Sequence, residues 1–259
     1  MYDLENVGFA YGARSVLKEL NLRFEAGHFY GVIGPNGCGK STLIDLLAGH
    51  LRPDHGCVRL NGQPLHRLDR KTMARNIAIV PQDFRINFPY TCREIVMMGR
   101  YPHIPRFAQP GEADRAIVEE VFQQAGLDGF QSRYVNQLSG GERQRVVFAR
   151  CLAQQTPVML LDEATASLDM RHTLRLLNLV AGRVSPASVV IAVLQDVNLA
   201  AMYCDRLIFM NGGGVAASGP IEEVLNAEVL QEVFQVRAKV AYNDYCDTLQ
   251  VAFKKVVRP

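Results

Sequence analysis

Residues 34–42 read Gly34-Pro35-Asn36-Gly37-Cys38-Gly39-Lys40-Ser41-Thr42, which satisfies the spacing G-x-x-x-x-G-K-[ST]. These residue types suit one chemistry, the capture of a polyphosphate. Glycines let backbone N–H groups turn inward and reach phosphate oxygens with no Cβ in the way. A helix that begins near Lys40 aims the positive end of its dipole at the same anion. Lys40 brings a point charge for the β- and γ-phosphates, and Ser41 offers a hydroxyl to Mg²⁺. A chance glycine-rich turn is the plainer alternative. Context weighs against it: the loop follows a dense apolar run, 28–33, and precedes Leu43, Leu46 and Leu47 at helical spacing. Cys38 lies inside the loop, where a helix start and a lysine can lower a thiol's pKa and make it reactive.

A second acidic element follows at 158–163, where the apolar run Val-Met-Leu-Leu ends in Asp162 and Glu163. Open α/β sheets place ligand chemistry at the carboxyl ends of parallel strands. Asp162 is expected to hold Mg²⁺, directly or through water, and Glu163 to polarise an attacking water. Without the phosphate loop, a solvated acidic turn would be the simpler reading. A third element, Leu138-Ser139-Gly140-Gly141-Glu142, opens a helix. Two glycines and a serine at a helix start make another anion site. One nucleotide has one γ-phosphate, and the first loop already grips it. The second phosphate-binding helix start therefore points to a site completed between two molecules.

The elements that must position these residues alternate. Val7 and Phe9, then Leu20, Leu22 and Phe24, read as two short strands around a Tyr11-Gly12 turn. Residues 28–33 form a strand buried on both faces, followed by the loop and a helix over 41–49. Residues 58–60 and 77–80 are further strands. From 92 to 153 strand signal is scarce. Helices are predicted over 112–126, with Gly126 as C-cap, and over 140–153. Pro102, Pro105 and Pro110 break the chain between the early helix and these two. Strands at 158–161, 188–194 and 206–210 then alternate with helices at 171–183 and 197–203, which implies a mainly parallel sheet covered by helices. Residues 221–234 read as helix and 239–253 as a small hairpin.

Composition narrows the class. The chain has 259 residues, 48% apolar and 21% charged, the make-up of a globular domain large enough to bury a core. A net charge of +2 gives no argument for nucleic acid or an anionic surface as partner. The six cysteines are scattered, without a CxxC pair or metal-ligand spacing, and read as reduced buried thiols. No apolar run approaches the roughly 20 residues that span a bilayer. The first residues carry acids and no basic n-region, so no signal peptide is expected. A membrane role would have to come through a partner.

Taken together, the motifs resemble those of the ATP-binding cassette family over essentially the whole chain. GPNGCGKST at 34–42 matches its Walker A loop, VMLLDE at 158–163 its Walker B strand and LSGGERQR at 138–145 its signature. Gln82 in IVPQD falls at the Q-loop, Ser167-Leu168-Asp169 at the D-loop, and Tyr11 at the aromatic that stacks on adenine. The resemblance implies an α/β P-loop NTPase core with an antiparallel β-subdomain, spanning 1–85 and 155–259 with a C-terminal extension. A helical subdomain, 86–154, is inserted into it and carries the signature. It implies ATP and Mg²⁺ as cofactors, with Ser41, Gln82 and Asp162 on the metal and Glu163, Gln82 and residue 195 in hydrolysis. The nucleotide-binding set is Tyr11, residues 34–42, Ser139, Gly140, Gly141, Glu142 and Asp169. Two copies are expected head to tail on permease subunits at the cytoplasmic face of the membrane, with a substrate-binding protein as indirect partner and no nucleic acid. IVMMGRYPHIPRF at 95–107 is similar to importers of ferric siderophores, haem and cobalamin. Phe84, Ile86, Phe88 and Tyr90 are candidates for the groove that receives a permease helix, or else caps of the helical core.

Two positions depart from the family pattern. Ala164 stands where proline usually follows the Walker B glutamate. Gln195, in VLQDVNLA, replaces the switch histidine. Glutamine can donate a hydrogen bond of similar reach but cannot take up a proton. ATP binding is expected to survive and turnover to slow. Two alternatives follow: a hydrolysis-impaired ATP switch, or a soluble cassette protein outside transport.

Overall fold

The structure is a computed structural model that describes residues 1–84 and 88–255. In chain order its elements begin with β1 (Tyr2–Tyr11), β2 (Arg14–Phe24), β3 (Phe29–Ile33), α1 (Lys40–Leu47), β4 (His55–Leu60) and β5 (Gln63–Pro64). Next come α2 (Arg70–Asn76), β6 (Ile77–Val80), α3 (Cys92–Met98), α4 (Glu112–Gln124), α5 (Gly140–Gln154), β7 (Val158–Asp162) and α6 (Met170–Ala181). The chain ends with β8 (Val189–Val193), α7 (Val197–Tyr203), β9 (Arg206–Asn211), β10 (Gly214–Pro220), α8 (Ile221–Val224), α9 (Ala227–Phe234), β11 (Ala238–Asn243) and β12 (Thr248–Phe253). It divides into two compact units, Met1–Arg67 with Val184–Pro259, and Leu68–Arg183.

In the first unit an antiparallel sheet runs in the order β2-β1-β4-β5. β1 and β2 are long strands rather than the short pair expected, because pairing continues through register shifts at Leu4, Val7 and Phe9. Their inward residues Tyr2, Leu17, Leu20 and Phe24 are buried. The second sheet of this unit carries β8, β3 and β9 in parallel, as the alternation predicts. Every residue of β3 and β8 is buried, which is why both read as unbroken apolar runs. β10 joins β9 antiparallel. It was not anticipated, since Gly-Val-Ala-Ala-Ser-Gly-Pro has almost no apolar alternation. The expected helix over 221–234 is two helices. Leu225 leaves helical geometry and the Asn226 side chain caps α9. The predicted hairpin is β11 with β12, and it is pinned to α7. Asn198 donates to the Val251 carbonyl at 3.2 Å and accepts from its N–H at 2.7 Å.

In the second unit β6 and β7 pair in parallel, Ile77 opposite Val158. α3, α4 and α5 pack through Val96, Val118, Val121, Phe122, Val147 and Phe148. Between 92 and 154, among the described residues, there is no strand, and Thr91 makes an isolated bridge to Tyr134. α4 ends with Ala125 as C-cap, not Gly126, which follows with φ +66°. α2 and α3 were not anticipated. Each is short, and each is fixed by its cap. Asp69 caps α2, and Thr91 forms a capping box with Glu94.

Candidate functional site

The first unit holds the phosphate loop, Tyr11 and Gln195. The loop leaves β3 and enters α1 through Gly39, whose φ of +105° lies in the left-handed region. A Cβ on Gly39 would also sit 2.5 Å from Leu17. A Cβ on Gly34 would come within 2.3 Å of the Met210 carbonyl oxygen, a backbone atom that cannot yield. The packing of β3, β9 and β2 therefore dictates these glycines as firmly as any ligand would. Lys40 is 6% exposed. Its Nζ donates to the carbonyls of Gly34 at 2.9 Å and Pro35 at 3.1 Å, so the ammonium is coiled inside the loop. Thr42 is buried on α1, while Asn36 and Gly37 are exposed at the crest. The backbone, the dipole and the ammonium all fit a polyphosphate anion.

Cys38 corrects the sequence reading. Its thiol is buried, and burial pushes its pKa up by more than Lys40 pulls it down. Tyr11 closes β1 with its ring 53% exposed and edge-on to Phe9, centroids 4.9 Å apart. Gln195 is exposed between the end of β8 and Asp196, which caps α7 by accepting from the N–H groups of Asn198 and Leu199.

The second unit gathers the remaining residues. Asp162 ends β7 and Glu163 follows with φ +46°. For a non-glycine residue that conformation costs on the order of 1–3 kcal/mol and needs support from its surroundings. Support comes from Gln82, whose Nε2 donates to Glu163 Oε2 at 2.9 Å. Ser139 caps α5 by accepting from the Glu142 N–H, and Glu142 Oε2 accepts in return from the Ser139 N–H at 2.8 Å. These bonds hold the Glu142 carboxyl below the usual carboxylate range. Gly140 has open space around its missing Cβ, and the nearest atom to a Cβ on Gly141 is the Ser167 carbonyl oxygen at 3.4 Å. Asp169 caps α6 and contacts the His172 ring at 2.8 Å, which lowers its own pKa.

Sequence reasoning passed over Gln144. It is 5% exposed, and its Nε2 donates to the Ala164 carbonyl at 2.9 Å and the Pro81 carbonyl at 3.4 Å. One signal was available: it sits on the buried stripe of α5 with Val147, Phe148 and Cys151, a polar residue where the period calls for an apolar one. Of the groove candidates, Phe84 lies under the Arg150 guanidinium at 4.7 Å. Phe88 is 68% exposed and touches Tyr90, while Ile86 lies outside the described residues.

Ser41, Gln82 and Asp162 offer hard oxygen donors, which suit Mg²⁺. Among the described residues, no group of three or more His, Cys, Asp or Glu side chains gathers as a metal site. Mg²⁺ calls for none, since one or two carboxylates with substrate phosphates suffice. Among the same residues, no helix is long and apolar enough to cross a membrane.

Comparison with known proteins agrees with this fold. The ABC transporter family profile matches residues 17–166. A cobalamin import ATP-binding protein of Halobacterium salinarum is 40% identical over 92% of this chain, which spans 60% of that relative's length. A hemin import ATP-binding protein of Nocardia farcinica is 41% identical over 90% of this chain and 80% of its own. An iron(3+)-hydroxamate import ATP-binding protein of Bacillus subtilis is 35% identical over 91% and 88%. In three dimensions, an inward-facing ABC transporter described as of metal-chelate type superposes with a TM-score of 0.82 at 29% identity, covering 99% of this chain and 98% of that one. A dimeric bacterial ABC transporter cassette gives 0.76 at 29% identity, covering 85% and 99%. By this profile and these relatives, the chain belongs to the ABC transporter family as an ATP-binding cassette.

Proposed function

We propose that the chain is the ATP-hydrolysing subunit of an importer, and that its cargo is a metal chelate of the siderophore, haem or cobalamin kind. The cassette works as a head-to-tail pair of copies. Residues 34–42 of one copy and Ser139, Gly140 and Gly141 of the other take the phosphates. Tyr11 stacks on the base. Ser41, Gln82 and Asp162 would hold Mg²⁺, which would supply positive charge to the phosphates. Glu163 takes the proton of the attacking water, Gln82 keeps its carboxylate oriented, and Gln195 donates to the γ-phosphate. Glu142 and Asp169 fix the helix starts beside them. The helical region 86–154 carries the signature, and Phe88 and Tyr90 meet a permease at the cytoplasmic face of the membrane.

One observation carries this reading. Gly140 has neither a positive φ nor a neighbour that would exclude a Cβ. The fold does not require glycine there, and the open space leaves room for a ligand to reach the backbone. The import ATP-binding proteins among the relatives support the direction of transport and the cargo class. Purification from its native membrane tests the proposal. Recovery with permease subunits and ATPase activity stimulated by a loaded binding protein are expected. Recovery with ribosomes or DNA contradicts it. Gln195 favours a second reading, in which ATP binding switches the complex and hydrolysis is slow.

A further inference from the structure

α5 is fastened along the outer edge of β6. The Gln154 amide donates to the carbonyls of Ala74 and Ile77, and Cys151 Sγ to that of Ile79. Gln144 takes the next position, the carbonyl of Pro81. A strand presents alternate carbonyls to one side, and a helix with polar residues about one and two turns apart can catch them in series. Gln154 and Cys151 do no more than join helix to strand. Gln144 does something else as well. Its second contact is the carbonyl of Ala164, on the far side of Glu163. The two carbonyls it holds belong to the residue before Gln82 and the residue after Glu163. The side chains of Gln82 and Glu163 then meet each other at 2.9 Å. One buried amide thus braces the backbone of both partners in that pair, five residues along from the Ser139 cap.

We propose that Gln144 is a positioning residue for hydrolysis: it holds Glu163 in its left-handed backbone conformation and keeps Gln82 within reach of it. The inference rests on Glu163 and Gln82 serving hydrolysis as proposed above. A buried carbonyl that loses its donor is left unsatisfied, and the segment can recover a partner only by moving. The turn after Glu163 is closed by the Ala166 N–H to the Glu163 carbonyl at 3.0 Å, so movement there shifts the carboxylate. Misplacement of a reacting group by about 1 Å costs on the order of 100-fold in rate.

The test compares Gln144→Leu with Gln154→Leu, which removes the same kind of clamp from the same helix at its far end. ATP affinity, kcat, KM, unfolding midpoint and amide exchange at Ala166 and Leu168 are measured on the full chain. We expect Gln144→Leu to lose about 10–100-fold in kcat, with KM for ATP changed by less than about twofold and faster exchange at Ala166. Gln144→Glu keeps the length but brings a carboxylate that cannot donate, and it behaves likewise. Gln154→Leu loses stability and keeps kcat and Ala166 exchange. Equal losses of kcat in the two leucine variants, or wild-type kcat in Gln144→Leu, overturn the assignment. If the wild type binds ATP without hydrolysing it, the proposed function fails instead. Amide exchange still decides the clamp: unchanged exchange at Ala166 in Gln144→Leu refutes it.

Discussion

Alanine at Gly140 or Gly141 separates folding from function. Both glycines lie in the first turn of α5, where N–H groups have no intrahelical acceptor. A Cβ on Gly140 meets nothing within 4 Å, and one on Gly141 stops 3.4 Å from the Ser167 carbonyl oxygen, at the near edge of ordinary contact. Neither position has positive φ. Alanine favours a helix over glycine by up to about 1 kcal/mol. The variants should therefore melt at the wild-type temperature, or up to about 4 °C above it, for a chain of this size. On the proposed function, the methyl group instead lies where phosphate oxygens approach the backbone. Losing one such donor costs about 100–1000-fold in kcat. The assay is steady-state phosphate release at saturating Mg-ATP, paired with thermal denaturation. Gly34→Ala is the contrast, because its Cβ falls 2.3 Å from a backbone oxygen, and it should unfold early. A Gly140→Ala protein that is both as stable and as active as wild type would refute the reasoning.

Three further outcomes are expected. Gln195→His should raise kcat by ~10–1000-fold, the value of one improved transition-state hydrogen bond of ~1.4–4 kcal/mol, with ATP affinity unchanged; equal phosphate-release rates would sink the account of that position. Burial raises the Cys38 thiol's pKa, so its thiolate becomes populated only above the ordinary thiol range and alkylation should accelerate towards high pH. Mass spectrometry at pH 7.5 should find Cys38 labelled more slowly than the half-buried Cys57 and Cys246, and the reverse order would contradict the burial argument. Asn198→Ala removes both hydrogen bonds to Val251 and should cost about 1–3 kcal/mol, read from denaturant unfolding. No loss of stability would mean that Asn198 does not secure the hairpin to α7.

What was legible in the sequence was what is local. The phosphate loop, the strand ending in Asp162 and Glu163, and the helix start at Ser139 are each contiguous, so residue type and spacing expose them. β3 and β8 announced themselves because strands buried on both faces have unbroken apolar runs. β10 did not, because its place comes from pairing with β9 and not from its own pattern. Cys38 was misjudged for a related reason. The helix start and Lys40 are visible in sequence, whereas the burial that outweighs them depends on chain brought from elsewhere. Gln144 is the clearest case. Its partners lie 20 and 63 residues away, and no local pattern names them.

On the proposed function, this chain holds half of a catalytic site and a second copy supplies the other half. Glu163→Gln removes the group proposed to activate water, leaves the carbonyl oxygen of the side chain in place and should trap the bound state. Light scattering with size exclusion on that variant, with and without Mg-ATP, is the most direct test. A monomer is expected without nucleotide and a dimer with it, and the dimer should be lost again when Gly140→Ala is added. A Glu163→Gln protein that binds Mg-ATP tightly and remains a monomer at high concentration would contradict it.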